Sequence, residues 1–127
     1  DIPMIIGGEE VTTANKRALS PPHNHQYVLA YFNQGDETHV TQAVHAALHA
    51  KALWCTMPWH ARAAIFLKAA DLIAGPYRYA VNAATMLGQS KNAYQAEIDS
   101  ACELVDFLRF NVYFAEQLFQ EQPISTP

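Results

Sequence analysis

Residues 92–119, NAYQAEIDSACELVDFLRFNVYFAEQLF, contain neither glycine nor proline, and this run constrains the chain more than any other feature. It predicts a single helix of roughly 28 residues, about 42 Å long at 1.5 Å per residue. Turned at 100° per residue, Tyr94, Ile98, Ala101, Val105, Leu108, Val112, Ala115 and Phe119 fall on one side, and Leu104 and Leu118 widen that stripe. A stripe so wide must be covered, so the remaining elements are expected to be arranged around it. Glu103 lies away from the stripe's middle, yet Phe107, Phe110 and Phe114 project within about 40° of it. No Lys or Arg stands three or four residues beyond Glu103. An unpaired carboxylate among three rings is unusual for a helix glutamate, most of which lie on solvated faces.

Ahead of this run, residues 2–6 form a short apolar stretch stopped by Gly7-Gly8, with Val11-Thr12-Thr13 following. That pattern predicts two short strands turning at the glycines. Residues 15–25, which hold Ser20-Pro21-Pro22, read as loop, and residues 27–32 as a third strand. Strands this short make no independent sheet. Asp36 is a good N-cap, and Val40, Ala43, Val44, Ala47 and Leu48 then predict a first helix to about Ala52. Pro58 suits the first turn of a second helix, with Ala61, Ile65, Ala69, Leu72 and Ile73 on one face and Gly75-Pro76 ending it. A third is expected over residues 77–87, stopped by Gly88. Alanine pairs at 63–64, 69–70 and 83–84 allow close approach of helix axes. The long helix comes fourth, and residues 120–127, polar and proline-bearing, read as a linker. The expected class is mainly α, four helices with the last long, carrying a short amino-terminal β appendage.

At 127 residues the chain is near the modal size of one domain, and half of its residues are apolar, which argues against disorder. The formal charge is −4 and the 8 basic residues are scattered, so no footprint for a phosphate backbone exists and nucleic acid is a poor partner. No apolar run reaches the 18 or so residues of a membrane span, which predicts a soluble chain with no membrane partner. Two cysteines build no disulfide framework. Nothing like a cleavable leader is read at Asp1.

Other candidate sites yield to plainer readings. His45 and His49 stand four apart on one helical face, the spacing of a zinc pair, but no third ligand is near in sequence, so a solvated face is expected and metal is not. Cys102 lies about ten residues into a helix beside Glu103, without the cation or helix N-terminus that a reactive thiolate needs. It is expected to be a small buried core residue. Cys55, after Trp54, reads no better. Gly7-Gly8 lacks the third glycine and following helix of a dinucleotide loop. Trp54, Met57 and Trp59 read as hydrophobic anchors at a joint between helices.

The words GQSKN, QAEID and DFLRFN in the long run, IIGGEEV and SPPHNHQYVLAYF before it, DETHVTQAVHAALHAKALW and MPWHARAAIFLKAADLIAG between, and QPISTP at the end closely resemble the aldehyde dehydrogenase superfamily, in its Δ1-pyrroline-5-carboxylate (L-glutamate γ-semialdehyde) dehydrogenase branch. The resemblance covers nearly the whole chain. It implies that residues 1–127 are the amino-terminal segment of an α/β subunit whose Rossmann-type and catalytic domains are elsewhere. It further implies oxidation of L-glutamate γ-semialdehyde to L-glutamate in proline catabolism, NAD bound by other parts of the fold, and partnership with the rest of the subunit, a small-molecule substrate and, in the intact enzyme, other copies. The compartment implied is the mitochondrial matrix in a eukaryote or the cytoplasm in a bacterium. Cys102 matches nothing in the family's nucleophile motif, so no catalytic or cofactor-binding residue is expected in this segment, and alone it should be inactive. Glu103 matches the glutamate that, in this branch, lines the aldehyde entry and meets the substrate's ammonium group. The alternative from another class is a non-catalytic helical interaction or oligomerisation module, which the periodicity fits equally well.

Overall fold

In the computed structural model, which describes residues 1–121, Gly7 and Gly8 have φ of 63° and 89°. These left-handed values suit a two-residue hairpin turn and are open to glycine at little cost. The turn joins β1 (Met4–Ile6) to β2 (Glu9–Val11) in an antiparallel pair with Met4 opposite Val11, the hairpin expected at the glycines. A second hairpin pairs β3 (Lys16–Leu19) with β4 (Ala30–Asn33), Lys16 opposite Asn33. The expected loop over residues 15–25 is therefore corrected, since its first part is a strand. Every residue of β3 is exposed, so backbone pairing and the ion pair of Lys16 with Asp1 hold it, and no apolar alternation marks it. The third expected strand is displaced to Ala30–Asn33, and Tyr27 instead closes a turn onto the Asn24 carbonyl at 3.2 Å.

The chain divides into two units, Asp1–Met57 with Leu87–Ser90, and Pro58–Met86 with the residues from Lys91 onward. In the first, Asn33 ties the strands together. Buried at 6% exposure, it accepts from the Thr13 amide and donates to the Ile2 carbonyl, both at 2.8 Å. Helix α1 (Glu37–Thr56) begins at Asp36, whose side chain accepts from the amides of Thr38 and His39. It outruns its expected end near Ala52 because no breaker precedes Pro58. None of its residues is buried. Val40, Val44 and Leu48 are all more than half exposed. Along this face a hollow of about 690 Å³ is lined by Val44, Leu48, Leu53, Trp54 and Met57 among others.

In the second unit α2 (Trp59–Ala74) follows Pro58, which sits just before the helix and accepts from the amides of Ala61 and Arg62 through its carbonyl. Helix α3 (Arg78–Gln89) runs through Gly88, where a stop was expected. The left-handed Ser90, φ 56°, ends it instead. Then α4 (Ala93–Ala96), a π-helical segment (Glu97–Cys102) and α5 (Glu103–Gln120) follow without a gap. This is the long helix expected over 92–119, corrected in one respect, because its second and third turns are π. The mainly α class with a small β part holds. The expected linker beyond Glu121 lies outside the described residues.

Helices α2 and α5 run antiparallel, as Trp59 stacks on Phe119 with ring centroids 5.5 Å apart while Asp71, twelve residues on, meets Arg109 at 3.1 Å. Between them lie Ala70, Ala101 and Val105, at 0%, 2% and 6% exposure. The expected stripe is half right. Ala101 and Val105 are buried, and Leu108, Val112 and Ala115 half-buried, but Tyr94 and Ile98 are 84% and 60% exposed, and Leu104, Leu118 and Phe119 are exposed as well. Ala96, fully buried, takes the place of Tyr94 and Ile98. Ala96 and Ala101 are five residues apart, about 140° on an α-helix. The π turn, with bonds spanning five residues, brings both to the packed side.

The Asp36 cap generates a test. Its carboxyl is held well below the ordinary 3.8 by hydrogen bonds from the Thr38 hydroxyl, the His39 side chain and the His39 amide. A carboxyl with a lowered folded pKa stabilises fully above its unfolded value, and that stabilisation is lost as pH falls toward and through the folded one. Amide protection at Thr38 and His39, corrected for intrinsic exchange, is expected to drop from roughly pH 5 to 2 in the wild type and to change little in Asp36→Asn, which still caps. A pH-independent wild type would remove the assigned role.

Candidate functional site

Glu103 is the first residue of α5, and its amide bonds to the Ile98 carbonyl five residues back. Within α5 the residues three, four, seven, eight and eleven positions further on share its face. The result is an open hollow of about 360 Å³ lined by Glu103, Asp106, Phe107, Phe110, Asn111 and Phe114. The three rings named from the sequence are thus at the carboxylate. Phe110 and Phe114 stack at 6.3 Å between centroids, and Tyr113 tilts against Phe114 at 5.6 Å. All three phenylalanines remain more than half exposed. Among the described residues no cation pairs with Glu103 and no donor side chain reaches it. Sequence reasoning missed Asp106 and Asn111 as lining residues, although helical spacing from Glu103 carries the signal.

The opposite arrangement surrounds Glu97, at the head of the π segment. Arg78 pairs with one of its carboxylate oxygens and the Asn82 amide donates to the other. The Ser100 hydroxyl lies 3.0 Å from Asn82 Oδ1 and 2.6 Å from the Ala96 carbonyl oxygen. Lys91 pairs with Asp99. Two of the acidic residues near the start of the long helix are thereby engaged, while Glu103 has no such partner among the described residues. These partners lie eight to nineteen residues away, beyond what periodicity reads.

Cys102 is exposed, not a buried core residue. The π turn puts Ala101 on the packed side and carries Cys102 off it. Its sulfur is 3.6 Å from Glu97 Oε1. Cys55 is also exposed. His45 and His49 are both exposed on α1, and among the described residues no three His, Cys, Asp or Glu side chains gather into a metal-holding group. Of the expected anchors, Trp59 stacks on Phe119, while Trp54 and Met57 line the hollow on α1. The Gly7-Gly8 turn leads into a strand, so it does not fit a dinucleotide's phosphates, which need a helix N-terminus beyond the glycines. No described helix is long and apolar enough to cross a membrane.

Comparison with known proteins places this geometry in context. The Aldehyde dehydrogenase family pattern matches residues 11–126. The chain is 54% identical over 123 residues, 97% of its length, to a delta-1-pyrroline-5-carboxylate dehydrogenase of Agaricus bisporus. It is 47% identical over 97% of its length to a mitochondrial delta-1-pyrroline-5-carboxylate dehydrogenase of Dictyostelium discoideum. It spans 22% of the length of each of these relatives. Among solved structures, the delta-pyrroline-5-carboxylate dehydrogenase of Mycobacterium tuberculosis bound with NAD and cobalamin superposes with a TM-score of 0.92 at 48% identity, over 99% of this chain and 24% of that one.

With no dinucleotide cradle and no activated thiol among the described residues, purified residues 1–127 are expected to give no NADH from glutamate semialdehyde and no heat of NAD binding by titration calorimetry. Turnover above a buffer blank would mean that a nucleophile or cradle has been overlooked.

Proposed function

The chain belongs to the aldehyde dehydrogenase family, and on that premise we propose that it is the amino-terminal segment of an NAD-dependent enzyme oxidising L-glutamate γ-semialdehyde, in equilibrium with Δ1-pyrroline-5-carboxylate, to L-glutamate in proline catabolism. The observation that carries this reading is the uncompensated Glu103 carboxylate at an aromatic hollow, in a chain similar along nearly its whole length to enzymes of that name. NAD and the attacking thiolate belong to parts of the subunit other than these residues, so the work assigned to this chain is recognition. The rest of the subunit, and other copies of it, are its partners. The compartment is the mitochondrial matrix if the source is eukaryotic, as the name of the Dictyostelium relative supports, and the cytoplasm if it is bacterial.

The substrate carries an ammonium and a carboxylate on one carbon, with an aldehyde two methylenes away. An anion beside apolar walls attracts a partly desolvated ammonium more strongly than it would in water. Phe107, Phe110 and Phe114 supply those walls, and their faces suit both the methylenes and the cation. Asp106, on the same side, disfavours approach by the substrate carboxylate and so helps orient it. A stand-alone interaction module accounts for exposed apolar faces but gives Glu103 no task.

In the intact enzyme, Glu103→Gln keeps the shape and an acceptor while removing the charge. It should lower kcat/KM for glutamate semialdehyde more than for an aldehyde without an α-amino group. Losing a charge-assisted hydrogen bond costs roughly 1.5 to 3 kcal/mol, about 10-fold to 150-fold in kcat/KM. Equal losses on the two aldehydes would make Glu103 structural, and no loss on either would return it to a solvated helix face.

A further inference from the structure

We infer that Asn82 and Ser100 are positioning residues for Glu103, holding the π turn that the Glu103 amide closes. The inference builds on the substrate-binding reading of Glu103 given above and extends it to residues that touch no substrate. A π turn is rarely adopted, and single ones inside α-helices concentrate at functional sites. Left to local preference, the segment 97–102 has no proline or glycine to force the distortion. The forcing comes from α3. Asn82 donates to Glu97, the first residue of the π segment, and its Oδ1 faces the Ser100 hydroxyl at 3.0 Å. One amide therefore grips the segment at two points, while Arg78 holds the second oxygen of Glu97. Ser100 also lies 2.6 Å from the Ala96 carbonyl, so its one proton is shared between that carbonyl and Asn82 Oδ1, and a side-chain bond to the previous turn is the kind that bends a helix.

Glu103 is the residue on which the distortion closes. Its own amide makes the five-residue bond to Ile98. Side chains on a helix lean back over the preceding turn, so the carboxylate of Glu103 stands over the π turn. Loosening the grip of Asn82 lets the turn relax toward α, which shifts the carboxylate against Phe107, Phe110 and Phe114. Those rings belong to α5, whose own position is fixed by the stack of Trp59 on Phe119 and by Arg109 with Asp71. A charge contact is sensitive to such a displacement, and a partner indifferent to Glu103 is not.

The test uses the intact enzyme with two aldehydes, glutamate semialdehyde and a simple aliphatic aldehyde lacking the amino group. Asn82→Leu and Ser100→Ala are each expected to shift the kcat/KM ratio against glutamate semialdehyde by roughly 5-fold, mainly through KM, and Ser100→Thr, which restores the hydroxyl, to recover it. In a Glu103→Gln background the same changes should leave the ratio where Glu103→Gln alone puts it. Equal losses on both aldehydes, an undiminished shift without the Glu103 charge, or no shift would overturn the inference. If Asn82→Leu fails to fold, the Ser100→Ala and Ser100→Thr pair decides by the same ratio. The two readings separate cleanly. A flat ratio for Glu103→Gln itself removes the substrate role and this inference with it, whereas a shift for Glu103→Gln alone removes only the positioning role.

Discussion

The close contact of two helices through alanine is the constraint on which the second unit depends. Ala70 on α2 has no accessible surface, and Ala101, across from it on the long helix, almost none. Side chains this small permit axes to approach toward the short end of the usual 8 to 10 Å, and they leave no space for a larger residue without moving a backbone. Little apolar area is removed from water by a methyl group, about 0.8 kcal/mol for each such carbon, so the alanines stabilise less by their own burial than by the neighbours they admit. Those neighbours are Val105, the stacked Trp59 and Phe119, and the pair of Arg109 with Asp71. Because the ion pair is largely exposed, it fixes the register of the helices more than it stabilises them.

The π segment follows from the same constraint. Ala96 and Ala101 must both face inward, and no α-helix presents residues five apart on one side. A single widened turn reconciles them, and the cost of its poorer backbone geometry is offset by the side chains of Arg78, Asn82 and Ser100. The first unit uses a buried polar side chain to comparable effect. The Asn33 side chain accepts from the Thr13 amide and donates to the Ile2 carbonyl, which also accepts from the Asn33 backbone amide, so one residue joins the segments at residues 2, 13 and 33. In both units a single amide side chain, bonded through its oxygen and its nitrogen, joins segments that hydrophobic burial alone leaves undetermined.

What was legible in the sequence was whatever acts within about three helical turns. The Asp36 cap, the glycine hairpin and the cluster of Phe107, Phe110 and Phe114 about Glu103 all depend on spacings of two to eleven residues, and periodicity reads such spacings directly. What was not legible depends on partners far along the chain. The strand β3 has no apolar face and exists because β4 pairs with it. The exposure of Tyr94, Ile98 and Cys102 follows from a π turn held by α3. A projection at a constant 100° per residue has no place for an inserted residue, so Tyr94 and Ile98 fall out of phase on the N-terminal side of that turn, while beyond it Leu108, Val112 and Ala115 stay on the packed side and Leu118 and Phe119, at the far end, are exposed.

That asymmetry bears on the candidate site. Glu103 and its rings lie within α5, and which of them share a face was therefore predictable from sequence. The direction in which the Glu103 side chain is held was not, because its amide closes the π turn. A carboxylate two residues beyond Ala101 is carried to the outside at the very place where the helix changes pitch. Its acidic neighbours Glu97 and Asp99 are engaged by Arg78 and Lys91. Since both are exposed enough for water to screen them, the pairing matters less for stability than for the local field. It cancels the two nearest negative charges on the N-terminal side of Glu103, and leaves a field at the hollow that arises from Glu103 and Asp106. Under the role proposed for Glu103, an approaching ammonium is then drawn to the aromatic wall, not spread over an acidic helix end. The long helix thus separates its carboxylates by position, those within the π turn bound to cations of the fold and Glu103 after it presented to solvent among phenylalanines.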